Sequence, residues 1–135
     1  MSTSVQTCPC SRDTPYSGCC QPLHLGKLRA QTAEQLMRSR YSAYALKIID
    51  YLVDTTHPDK RSQSLAQSIS AWAERVKFYR LEIISTQLGL VTDKIGKVEF
   101  IAHYRQEGVN HQLHELSRFR RFREHWVYLD GEINR

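Results

Sequence analysis

All four cysteines of the chain lie between positions 8 and 20, as Cys8-Pro9-Cys10 and Cys19-Cys20. Four converging thiolates form a tetrahedral donor set, and sulfur is soft enough to suit zinc, which brings no redox chemistry of its own. Pro15 and Gly18 supply turns that bring the two pairs together, and Pro9 stiffens the first pair. Arg12 is near enough in sequence to offset part of the surplus negative charge. Four protein ligands leave no coordination position for water, so a zinc ion held this way is structural and not hydrolytic. Two disulfides in a secreted domain are a competing arrangement, and reactive or redox thiols a third. Against disulfides, the opening residues Met-Ser-Thr-Ser-Val-Gln-Thr hold no apolar signal run, and no cysteine staples the larger remainder.

A second group of residues centres on Arg40. Counted at about 100° per residue, it falls beside the apolar stripe of Met37, Tyr41 and Tyr44, with Ser39 on the solvent side. An arginine aimed at a core needs an anionic partner, because an unpaired buried charge is costly. Glu115 shares strand parity with Ser117 and Phe119, and Phe119 should face inward, so the expectation is a direct Arg40–Glu115 pair under the helix. That pair either fixes helix against sheet or marks the floor of a pocket. Tyr44, Tyr51, His57, Trp72, Ser117, Trp126 and Tyr128 are the other candidates to line it. Aromatic side chains at such spacing also serve simply as core. His57, just before Pro58, suits either acid–base work or a hydrogen-bonded cap.

Arg118, Arg120, Arg121 and Arg123 interleave with Phe119 and Phe122. Such a strip can bind nucleic acid, with arginines on phosphates and aromatics stacked on bases. Alternation sends Arg118 and Arg120 outward and spends the aromatics on the core, so a solvated basic face is the preferred reading. A bulge or turn must intervene before Arg123. His103, His111, His114 and His125 show no metal-ligand spacing, no serine occupies a nucleophile elbow, and no glycine-rich turn opens a helix. The pattern gives no positive sign of an enzyme.

These groups must be positioned by helices first and strands after. Residues 21–31, with Pro22 and Gly26, read as irregular chain. Thr32 is a plausible N-cap with Gln35 three positions on, opening a helix over 33–49. Asp50–Val53 forms a second short helix, ended before His57-Pro58. Leu65, Ile69, Trp72 and Val76 space a third. After Val76 the apolar period drops to two, predicting strands at 78–90, 97–106, 109–122 and 125–129, the last closed by an Asp130-Gly131 turn. The fold class is α+β, with helices packed on one face of a curved antiparallel sheet. The expected division is a zinc knuckle at 1–24, a connection at 25–31 and the α+β domain at 32–135.

A chain of 135 residues can fold on its own core. No apolar run approaches the roughly 20 residues that cross a bilayer, and no membrane association is expected. With reduced cysteines, the simplest location is the cytoplasm. A net charge of +5 favours acidic partners without demanding nucleic acid.

Two resemblances add to this. Cys8-Pro9-Cys10 to Cys19-Cys20, with Tyr16 between, resembles the SEC-C motif, although Ser11-Arg12-Asp13-Thr14 replaces its usual Gly-Ser-Gly-Lys. Leu36-Met37-Arg38-Ser39-Arg40-Tyr41, Asp50-Tyr51-Leu52, Val98-Glu99-Phe100-Ile101-Ala102, Glu115-Leu116-Ser117-Arg118-Phe119 and Trp126-Val127-Tyr128-Leu129-Asp130-Gly131 resemble the bacterial YchJ family in order. This chain has Thr56 where members commonly have Trp. The resemblance implies a cone-shaped domain similar to nuclear transport factor 2 and cystatin, preceded by a zinc knuckle. Domains of that kind often pair through the open sheet face, so a homodimer is compatible with it. Three functions follow as expectations: a non-enzymatic adaptor whose knuckle contacts a protein partner; a small-molecule binder or enzyme using the cone; and an RNA- or ribosome-associated protein using the basic strip.

Overall fold

The computed structural model describes residues 7–133, so residues 1–6 of the expected knuckle segment and 134–135 of the domain lie outside the described residues. The order is a 3-10 turn at Tyr16–Gly18, α1 (Gln21–His24), α2 (Ala33–Leu46), α3 (Ile49–Asp54), a 3-10 turn at Pro58–Lys60 and α4 (Leu65–Arg75). The strands follow as β1 (Lys77–Leu88), β2 (Ile95–Gln106), β3 (Val109–Phe122) and β4 (His125–Ile133). They form one antiparallel meander in the order β1-β2-β3-β4, which makes the protein α+β. Among the described residues no helix is long and apolar enough to cross a membrane.

Thr32 caps α2 through its hydroxyl, which accepts from the Gln35 N–H at 3.1 Å. Gln35 does not close the box on Thr32; its side-chain oxygen accepts from the Gln31 N–H at 2.6 Å. The core lies between α2 and the inner sheet face, where Leu36, Met37 and Tyr41 meet Leu81, Val98, Phe100, Ala102, Phe119 and Trp126. Strand alternation is what delivers these residues to one side. Leu52 and Ile69 fix α3 and α4 to each other in a smaller cluster with Ala43.

Two expectations about the chain path are corrected. Residues 21–24 are helical, Pro22 fitting the first turn, where its missing N–H leaves no bond unmade. β4 does not end in an Asp130-Gly131 turn but runs to Ile133, with Gly131 paired opposite Ser117. The irregularity expected before Arg123 is a register shift between Arg118 and Phe119, followed by a two-residue turn at Arg123 and Glu124, both with positive φ.

Candidate functional site

The sulfurs of Cys8, Cys10, Cys19 and Cys20 all lie within 4.8 Å of one another. Cys10 Sγ is 3.6 Å from Cys19 Sγ, which is 3.9 Å from Cys20 Sγ. The four cysteines are free and not paired as disulfides. Cys8, Cys10 and Cys20 are buried, and Cys19 is partly exposed. This is a donor set able to hold a metal ion. Thiols crowded this closely cannot all ionise unaided, because each new charge meets the last. Hydrogen bonds from Cys10 and Cys20 hold Cys8 far below the usual thiol range. Burial, then the charge on Cys10, pushes Cys19 up to about 12, while hydrogen bonding to Cys10 and Cys8 and burial push Cys20 up. A divalent cation at the centre would resolve that conflict.

The knuckle is seated on the domain. Cys8 Sγ lies 3.6 Å from the Ser42 hydroxyl on α2, and Arg38 Nη1 donates to the Cys10 carbonyl at 2.9 Å. The Ser11 hydroxyl accepts from the Leu81 N–H at 2.8 Å, seventy positions away on β1. His24 Nε2 donates to the Ser39 carbonyl at 2.8 Å, which leaves Nδ1 to accept from the Tyr16 hydroxyl at 2.6 Å. Burial lowers the His24 pKa, in keeping with this neutral tautomer. Arg12 pairs with Glu34 at 3.7 Å, and Glu34 also meets Arg38.

Beneath the other side of α2 is a cavity of about 190 Å³. Six of the nine candidates line it: Arg40, Tyr44, Trp72, Glu115, Ser117 and Tyr128; Tyr51 and Trp126 line a different depression. The direct Arg40–Glu115 pair is not formed. Arg40 Nη1 instead donates to the Leu52 carbonyl at 2.8 Å and to the Thr55 and Thr56 hydroxyls at 2.7 and 3.3 Å. Its guanidinium carbon stands 4.6 Å from the centre of the Tyr128 ring. The end of α3 presents these oxygens beside Arg40 and draws the guanidinium that way. Glu115 accepts from the Ser117 hydroxyl at 2.5 Å and the Tyr128 hydroxyl at 3.4 Å. Burial, then the Glu115 charge, raises the Tyr128 pKa, so its hydroxyl stays protonated and donates.

His57 is not in the cavity. Residues 55–57 run beside β4, with the His57 N–H donating to the Tyr128 carbonyl at 2.8 Å and the Tyr128 N–H to the Thr55 carbonyl at 2.7 Å. Neighbouring side chains on extended backbone point oppositely. Thr56 therefore reaches Arg40, while His57 packs edge-on against Phe122 and caps Asp59.

The four arginines do not form one row. Arg118 grips Asp130 through two nitrogens. Arg121 donates to the carbonyls of Val91, Asp93 and Glu124 and lies over Trp126. Arg123 sits in the tight turn over Phe122, and Arg120 is exposed, while Phe119 is buried in the core.

The family described as YchJ, middle NTF2-like domain, matches residues 32–131. The chain belongs to the YchJ family. A UPF0225 protein of Geobacter sulfurreducens is 44% identical over 92% of this chain and 77% of its own length. A UPF0225 protein of Bordetella parapertussis is 43% identical over 97% of this chain and 96% of its own. The solution structure of RPA3114, a SEC-C motif containing protein from Rhodopseudomonas palustris, matches with a TM-score of 0.87 at 37% identity, covering 96% of this chain and 100% of that one. A SEC-C motif containing protein from Psychrobacter arcticus matches with a TM-score of 0.82 at 32% identity, covering 98% and 85%.

In this YchJ-family chain, Ser11, His24, Arg38 and Ser42 seat the knuckle, a role that no motif in the sequence announces. Ser39, expected toward solvent, is fully buried. The available signal was small side chains at Ser39, Ser42 and Ala43, which let a second layer approach α2 from behind.

Proposed function

We propose that Cys8, Cys10, Cys19 and Cys20 hold one zinc ion in a closed structural site, and that the protein works by recognition of a protein partner. At a Zn–S distance of about 2.3 Å, tetrahedral geometry sets sulfurs about 3.8 Å apart. The 3.6 and 3.9 Å spacings fit that with little movement. Reduced thiols suit a cytoplasmic location.

The observation that carries the recognition reading is a groove beside the knuckle. Its volume is about 480 Å³, and its walls include Leu23 and His24 of α1, the segment through Leu25 and Leu28, Tyr51 of α3 and Trp126 of β4. Leu25 and Leu28 are 60% and 59% exposed on its rim. Two leucines exposed beside a depression support reading it as a contact surface. The knuckle fixes where they stand, because α1 begins one residue after Cys20. The occupant in this reading is an apolar segment of another protein. RNA is less favoured, since Arg118 and Arg121 are engaged within the protein.

The test combines metal analysis with a photo-crosslinking residue at position 28 in living cells. One zinc per chain, and one discrete protein adduct that disappears with Cys10→Ser and with Leu25→Ser, supports the reading. An adduct set unchanged by Cys10→Ser and Cys19→Ser overturns it.

A further inference from the structure

We infer that the cavity beneath α2 is a binding site for a small carboxylic acid that also carries an amino or hydroxyl group. It is separate from the groove beside the knuckle, so this inference and the recognition reading stand or fall apart.

The argument begins with an unbalanced arginine. Arg40 is 5% exposed, and a buried guanidinium without a carboxylate partner is costly. A guanidinium carries five N–H donors in a planar fork. Only those on Nη1 meet protein acceptors, and all three acceptors are neutral. Among the described residues, no protein acceptor meets Nη2 or Nε, and no carboxylate lies in ion-pair contact with Arg40. The one acid lining the cavity, Glu115, is turned to the Ser117 and Tyr128 hydroxyls. Two opposite charges thus line one small cavity without touching each other. A ligand carrying both an anion and a donor would satisfy both, its carboxylate taking the open edge of the Arg40 fork and its amine or hydroxyl donating to Glu115.

The remaining walls set the ligand's body. Met37, Tyr44, Trp72, Phe78 and Leu113 are apolar or aromatic, so an aliphatic or aromatic side group fits between them. Tyr44, Trp72, Phe78, Leu113 and Tyr128 are each only half-buried, which gives the cavity a mouth. A volume of about 190 Å³ equals roughly six waters at about 30 Å³ each. This matches a molecule of amino-acid size and is too small to enclose a nucleotide.

The probes are L-leucine, 2-hydroxy-4-methylpentanoate, 4-methylpentanoate, which lacks the donor, and isoamylamine, which lacks the acid. Each is titrated into the full-length, metal-loaded protein while the ¹H–¹⁵N signals of the Arg40 Nε–H and the Trp72 indole are followed. The expected result is that leucine and the hydroxy acid move both signals in a saturable way. 4-Methylpentanoate should bind about tenfold more weakly, the loss of one charge-assisted hydrogen bond, and isoamylamine should leave the Arg40 signal in place. Glu115→Gln, nearly identical in shape, should weaken leucine about tenfold while the spectrum keeps its dispersion. Arg40 and Trp72 signals unmoved by every probe at millimolar concentration, or moved equally by all four, overturn the inference.

Discussion

The Glu115 carboxylate rests against the α-carbon of Gly131 on the neighbouring strand. A Cβ placed at 131 would collide with Glu115 Oε2 and stand 2.9 Å from the Tyr128 hydroxyl. Gly131 has no positive φ to explain it; its place in the strand is a clearance for an acid. Because the obstructing atoms end a flexible side chain, Gly131→Ala should swing Glu115 out of its hydroxyl cradle rather than break the sheet. Stability should fall by about 1 kcal/mol. A crystal structure of the variant checks it, and an unmoved Glu115 would show that Gly131 does not hold it.

Gly96 should be far less forgiving. A Cβ there would lie 2.5 Å from Gly89 Cα and 2.9 Å from Gly89 N, with Ala33 Cβ at 3.1 Å. These obstacles are mostly backbone, clamped by the Ala33 N–H to Gly89 carbonyl bond at 2.9 Å. Gly96→Ala should cost about 2–3 kcal/mol in urea unfolding, more than Gly131→Ala.

Arg40→Ala should cost about 2 kcal/mol, because it leaves a hole and removes the hydrogen bonds that join α2 to the end of α3, partly offset by relief of an unpaired buried charge. A loss below about 1 kcal/mol in urea unfolding would mean the arginine serves only the cavity.

If the four cysteines hold zinc as proposed, its removal should release the knuckle before the cone. Chelation is expected to lower the melting temperature and to abolish the protection from hydrogen exchange of the Leu81 N–H, which Ser11 holds, while β2 and β3 stay protected. Loss of all protection together would show that the domain cannot stand without its metal.

His24 should impose acid sensitivity. Its folded pKa is lowered from 6.5, so between the folded value and 6.5 the unfolded chain binds more protons. Stability therefore rises with pH through that window, is complete above it, and is lost as pH falls. The slope is at most about 1.4 kcal/mol per pH unit for one proton. Urea midpoints between about pH 5 and pH 7.5 should follow this, and His24→Gln should flatten the profile.

Much of the fold was legible because alternation and helical spacing report which face is dry. Val98, Phe100, Ala102 and Tyr104 announced β2, and Met37, Tyr41 and Tyr44 announced the sheet-facing side of α2. The cysteine cluster was legible because ligand types are few and close in sequence. What periodicity cannot register is a second covering layer, so buried Ser39 looked solvated. Nor can it rank acceptors: Arg40 had Glu115 within plausible reach, yet the oxygens of Leu52, Thr55 and Thr56 took its Nη1. The orientation of His57 depended on residues 55–57 lying alongside β4, a long-range pairing that leaves no local pattern.

The bond from Leu81 to Ser11 has a further meaning for an outer strand. β1 has a paired neighbour on one side only, and a row of open amides is a template on which another chain can build. With two bulges kinking that margin and Ser11 of the cysteine loop bound to the Leu81 N–H, part of that edge is covered. If zinc holds that loop as proposed, its removal should bare the edge and favour self-association.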